Sequence, residues 1–177
     1  MMRQKERGIA VKTKARMLAV CSMMCALGVV ILLLGAVLDL GMYLCPILVG
    51  LLTVPLGKKY GLKKQLSVWL ITSLLSILFV PNPEENLMYL CLFGWYPAVY
   101  PVFSRLPKVL RLAVKLLLFN GIIIAVEALV VSVLVPETLS GTMIVILLVL
   151  GNLTFLVYDY AIPLLTALFE KHIARLL

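Results

Sequence analysis

Every lysine and arginine in this chain falls in one of four short stretches, and between those stretches the sequence is nearly free of charge. The arm before the first apolar run carries Arg3, Lys5, Arg7, Lys12, Lys14 and Arg16. Lys58, Lys59, Lys63 and Lys64 form a second group, Arg105, Lys108, Arg111 and Lys115 a third, and Lys171 and Arg175 close the chain. A bilayer crossing takes about 20 apolar residues as a helix, with roughly 17 to 25 tolerated. Six runs qualify: Met17 to Leu38, Leu40 to Gly57, the shorter Leu66 to Val80, Leu87 to Phe103, Leu110 to Val135 and Met143 to Phe169. Helices are expected throughout, because in hydrocarbon each span must satisfy its own backbone hydrogen bonds.

Six crossings put all four basic groups on one face. Asp39, Glu84, Glu85 and Glu137 then all lie on the other. Basic residues mark the cytoplasmic side, so both termini are expected inside; an odd count would scatter the charges over both faces. The expectation is an all-α membrane protein, a single compact six-helix bundle that crosses the plasma membrane several times. Composition agrees, with 63% hydrophobic and 14% charged residues against about 25% charged in soluble domains. The net charge of +8 therefore reads as orientation rather than nucleic acid binding, which would need a basic surface to meet phosphate. Met17 to Leu38 exceeds the usual 7 to 15 residue core of a secretory signal and is kept as a spanning helix.

Ionisable groups within a bilayer cost about 2.5 to 3.5 kcal/mol even on the lenient insertion scale, which makes them functional candidates. Glu127 falls near the middle of the fifth run and Asp159 toward the cytoplasmic end of the sixth. Each has an asparagine seven residues earlier on the same helical face, Asn120 and Asn152. Pairing two antiparallel helices by depth sets Asn120 beside Asp159 and Glu127 beside Asn152. Such tiers either glue the helices or meet a ligand. The fourth run contains Trp95, Tyr96, Pro97, Tyr100 and Pro101; its prolines remove donors and predict a kink. Broken helices border transporter sites, whereas aromatic belts account equally for the rings. Tyr89, Glu84 and Glu85 lie nearer the outer surface, where they would rim a site. Ala15, Ala19, Ser22 and Ala26 form a small-residue ridge on the first helix, suited to close helix contact.

Catalytic machinery is not expected. The one histidine, His172, lies in the tail, so no His-based triad or metal cluster assembles. Cys21, Cys25, Cys45 and Cys91 lack metal or redox spacing. No arginine follows Glu84-Glu85 until Arg105, and no phosphate-cradling glycine loop is present. No catalytic residue, metal or cofactor is assigned.

Size, helix count, internal termini and the Ala15/Ala19 ridge together resemble the substrate-binding S component of the energy-coupling factor transporters, or a related bacterial membrane family. The resemblance implies an outward-facing cavity, built by helices four to six and the outer loops, for a vitamin-like small molecule. It implies that Ala15, Ala19, Ser22 and Ala26 dock on a membrane coupling subunit, with an ATPase pair below supplying energy. On that footing Glu127 and Asn152 would bind or gate the ligand, Tyr89 and Trp95 would stack on it, and Asn120 with Asp159 would stabilise the inner closure. The alternative is a small structural or assembly membrane protein whose polar groups serve only interhelical packing.

Overall fold

In a computed structural model, which describes residues 2–38, 43–133 and 141–176, the described chain is helical almost throughout. In order come α1 (Met2–Leu38), α2 (Leu44–Leu52), α3 (Val54–Tyr60), α4 (Leu62–Phe79), α5 (Pro83–Met88), a π-helical turn (Tyr89–Phe93), α6 (Tyr96–Phe103), α7 (Lys108–Val133) and α8 (Gly141–Leu176). Among the described residues, four helical stretches are long and apolar enough to cross a membrane: Thr13–Leu38, Leu62–Phe79, Lys108–Val130 and Leu148–Lys171. Asp39, the start of the second run at Leu40, the end of the fifth at Val135 and Glu137 lie outside the described residues, as do the side chains of Lys12, His172 and Arg175.

Two of the six expected helices are broken. The second divides at Thr53 into α2 and α3. Pro55 has no N–H to give to the Leu51 carbonyl, and Thr53 tightens the turn before it: its backbone N–H and its hydroxyl both donate to the Gly50 carbonyl, at 3.2 and 2.8 Å. The fourth begins earlier than Leu87, because Asn82 caps α5 by accepting from the N–H groups of Glu84 and Glu85 at 3.0 and 3.2 Å. It then widens into the π-turn and restarts at Tyr96, beside Pro97. Two further helices run beyond their apolar limits. The basic arm continues α1 back to Met2, since lysine, arginine, glutamine and glutamate are all good helix formers. The third run begins at Leu62, immediately after Gly61 turns the chain with φ +88°.

Apolar side chains that a soluble bundle would bury cover the outside, among them Leu74, Leu78, Leu117, Val149, Val157 and Tyr160. The interior is aromatic. Phe93, Tyr96, Phe119, Phe155 and Tyr158 are fully buried in one cluster contributed by the π-turn, α6, α7 and α8. Phe119 and Phe155 stack with centroids 4.4 Å apart. α1 packs on α2 and α4, and at Gly35 it runs so close to α2 and α5 that a methyl group would meet both the Cys45 sulfur and a Glu85 carboxylate oxygen at 2.5 Å. Lys58, Ser104 and Glu170 meet around one cavity, and with Lys59, Arg105 and Lys171 beside them this is the basic end of the bundle; Glu84 and Glu85 mark the acidic end.

Candidate functional site

The α7–α8 seam has a different register from the one that depth alone suggests. Asn120 pairs with Asn152, not with Asp159. Each amide donates to the other's carbonyl oxygen, at 3.0 and 2.8 Å, and each also donates to its own helix one turn back, to Leu116 and Leu148. Both N–H groups of both amides are thereby used. Replacing either residue alone by leucine orphans its partner, which costs about 1–3 kcal/mol, whereas Asn120→Leu with Asn152→Leu loses much less. Thermal unfolding of the three variants in detergent measures that coupling.

Asp159 lies seven residues beyond Asn152, two turns closer to the basic end. It meets Lys115, whose ammonium is 2.6 Å from its carboxylate, and it accepts a short hydrogen bond from the Tyr96 hydroxyl. The sequence places Lys115 among loop cations. It is instead well inside α7, with its side chain only 3% exposed, and its ammonium sits 4.3 Å above the Tyr100 ring. An opposite charge and an aromatic face together replace the water that the ammonium has lost. A readable sign of this was spacing: Lys115 precedes Phe119 by one turn, on the face of α7 that enters the core.

Glu127 does not reach Asn152 either. It lies toward the acidic end, within electrostatic range of Tyr43 and Glu84. One carboxylate oxygen of Glu127 and the Tyr43 hydroxyl are buried without hydrogen-bond partners. The ring of Tyr43 is held edge-on to Phe93, 6.3 Å between centroids. Glu127 of α7 and Tyr43, the residue before α2, thus come near Glu84 of α5, each with one buried oxygen that the fold leaves unsatisfied.

Tyr89 and Trp95, expected to stack on a ligand, lie elsewhere. Tyr89 is fully buried against Leu32, Cys45, Val49 and Val80, and its hydroxyl is turned toward Thr72 of α4. Trp95 is half-buried and spends its indole N–H on the Cys91 carbonyl, 2.6 Å away, closing the π-turn. The π-turn accounts for Trp95: an extra residue in the helix redirects everything after it.

A polar stripe on α4, with Gln65, Thr72, Ser73 and Ser76 all buried, is not among the features that stand out in the sequence. Gln65 donates to Thr53 at 3.2 Å, tying α4 to the α2–α3 break. Glu85, expected to rim the outer surface, is 1% exposed, with one oxygen lacking a partner.

A cavity of about 450 Å³ opens at the basic end, lined by Val54, Lys58, Gln65, Tyr100, Pro163 and Thr166 among others. The Lys58–Glu170 ion pair, 2.9 Å, borders it. The cavity expected from sequence faces the opposite end and involves residues 39–42 and 134–140, which lie outside the described residues. Ala15, Ala19, Ser22 and Ala26 are all exposed; Ser22 and Ala26 line a groove of about 330 Å³ between α1 and α4. Among the described residues, no three of His, Cys, Asp and Glu gather closely enough to hold a metal ion. Comparison with family models, with curated proteins and with solved structures finds no match to this chain.

Proposed function

We propose that the chain is the substrate-binding and translocation subunit of an ATP-driven uptake transporter, a six-pass plasma-membrane protein with both termini in the cytoplasm, resembling an S component. Its ligand is a vitamin-like small molecule. The observation that carries this reading is the unsatisfied carboxylate oxygen of Glu127 beside the unsatisfied hydroxyl of Tyr43. A structural carboxylate in an apolar bundle finds a partner, as Asp159 does; one left with an open acceptor is suited to an incoming donor. The topology rests on the basic groups, since Lys58, Lys59, Arg105 and Lys171 all fall at the end assigned to the cytoplasm. The exposed ridge of Ala15, Ala19, Ser22 and Ala26 supports docking on a membrane coupling subunit that joins the chain to its ATPase pair.

Glu127→Gln tests the site. Ligand that co-purifies with the native protein, identified by mass spectrometry, is expected to fall by about tenfold, a loss of roughly 1.4 kcal/mol, with the melting temperature nearly unchanged. Loss of folding in its place would make Glu127 a packing residue.

The alternative, a structural or assembly protein, is favoured by one feature: the Asn120–Asn152 pair is complete in itself and asks for no ligand. Purification in mild detergent separates the two readings. Recovery with a membrane coupling subunit and two ATPases supports transport, whereas a ligand-free protein recovered without them supports the scaffold.

A further inference from the structure

α1 and α4 run side by side away from the basic end. The Cys25 thiol reaches the Val68 carbonyl at 3.8 Å, and one turn further on Gly28 abuts Thr72, so the two helices keep one register through this stretch. Beside that contact the facing side chains are small: Ser22 and Ala26 on α1, Ser67 on α4. Side chains of one or two heavy atoms leave a cleft between neighbouring helices, and this one measures about 330 Å³. Cys25 and Val68, 5% and 1% exposed, form its floor, while Leu18 and Ile71 stand exposed at its sides. The cleft therefore opens sideways, onto the apolar exterior of the bundle.

One ammonium interrupts this lining. Lys64 is half-buried at the basic end of the cleft, and the register with α1 sets it level with Cys21, five residues beyond Arg16. Two other cations have counter-charges within the fold, Lys58 in Glu170 and Lys115 in Asp159. Among the described residues Lys64 has none. The nearby Ser67 hydroxyl is taken by the Lys63 carbonyl, 2.8 Å away. From Lys64 to Leu75 the α4 wall advances eleven residues, about 16 Å at 1.5 Å per residue, which is close to half of the roughly 30 Å hydrocarbon core of a bilayer.

We propose that this cleft holds one acyl chain of an anionic phospholipid, with the Lys64 ammonium on its phosphate. The inference rests on the reading of the chain as a membrane protein and not on transport. The cleft has the length of one leaflet, a lateral opening to hydrocarbon and a cation at headgroup level, and basic pockets between helices at the cytoplasmic surface bind acidic headgroups. A partner helix would fit the small residues equally well but would leave the half-buried ammonium without an anion. Because the lipid covers Ser22 and Ala26, a subunit that docks on that ridge displaces it.

The test uses the full chain in mild detergent and native mass spectrometry with two probes of identical acyl chains, dioleoyl phosphatidylglycerol and dioleoyl phosphatidylcholine. The native protein is expected to retain the anionic lipid about fivefold more strongly. Lys64→Gln should remove most of that preference, whereas Lys108→Gln, at the exposed start of α7, should keep it. Ala26→Trp fills the cleft and should weaken both lipids about tenfold, equivalent to about two buried methylenes; Ser22→Phe does the same and serves if Ala26→Trp does not fold. Equal retention of the two lipids by the native protein, or a preference undiminished in Lys64→Gln, overturns the headgroup contact. Retention unchanged in the cleft-filling variants overturns the cleft as a lipid site, and loss of a co-purifying coupling subunit from those same variants gives the face to a partner helix. A chain stripped from membranes by alkaline carbonate loses the bilayer reading and this one together, whereas a carbonate-resistant chain without lipid preference loses this one alone.

Discussion

Lys115→Met is expected to destabilise the protein by about 3 kcal/mol, because it leaves the partly buried Asp159 carboxylate without its counter-charge. Asp159 keeps the Tyr96 hydroxyl as a donor, but one neutral hydrogen bond does not compensate a charge at low dielectric. Asp159→Asn should cost a similar amount from the other side, by stranding an ammonium that is itself almost wholly buried. The double substitution restores most of the loss, since two neutral side chains of similar volume need no mutual rescue. Melting curves of the native, single and double forms in one detergent give the coupling energy directly. Additive single effects would mean that the pair contributes nothing as a pair.

The second large effect concerns Gly50. This residue lies where α2 crosses the π-turn, so close that a methyl group would collide with the Phe93 carbonyl oxygen and with the Tyr158 hydroxyl. That hydroxyl donates to the same carbonyl at 2.7 Å, inside the aromatic core. A backbone carbonyl cannot rotate aside as a side-chain tip does. Gly50→Ala therefore forces α2 away from the π-turn and breaks the Tyr158 bond. Overpacking of this kind costs about 1–3 kcal/mol, and the lost hydrogen bond adds about 1. A melting temperature within experimental error of the native value would show that the two helices have room to part.

Much of the helical layout was written in residue order. Long apolar runs bounded by Lys58 to Lys64 and by Arg105 to Arg111 become helices, because hydrophobicity and length are local properties of the chain. The breaks were less legible. Pro97 and Pro101 signalled one, but the π-turn begins at Tyr89, two turns before the first of them. At Thr53 the relevant feature is a hydroxyl that donates to the Gly50 carbonyl, just ahead of Pro55, which is visible only when the backbone is in place.

The α7–α8 register shows why the site was harder to read than the fold. Asn120 and Glu127 have the same seven-residue spacing as Asn152 and Asp159, so the pattern is compatible with more than one alignment. Matching asparagine to carboxylate satisfies each tier locally. The observed alignment instead matches asparagine to asparagine, because Lys115 gives Asp159 a full positive charge and the Phe119–Phe155 stack holds the intervening turn. Glu127 is then turned toward Tyr43 and Glu84, partners that sequence separation hides. A cation counted with the loops thereby fixes Asp159, and with it the register of the two helices.

The widened turn at Tyr89–Phe93 also sets the angular phase of everything after it. One residue corresponds to about 100° of rotation around a helix axis. Excising a single residue there, so that the turn tightens to ordinary α geometry, would spin α6 through that angle and carry the Tyr96 hydroxyl away from Asp159. Length in this short stretch is therefore as strictly constrained as chemistry, and a chain that keeps every polar side chain but loses one residue between Tyr89 and Phe93 would close a different face of α6 against its neighbours.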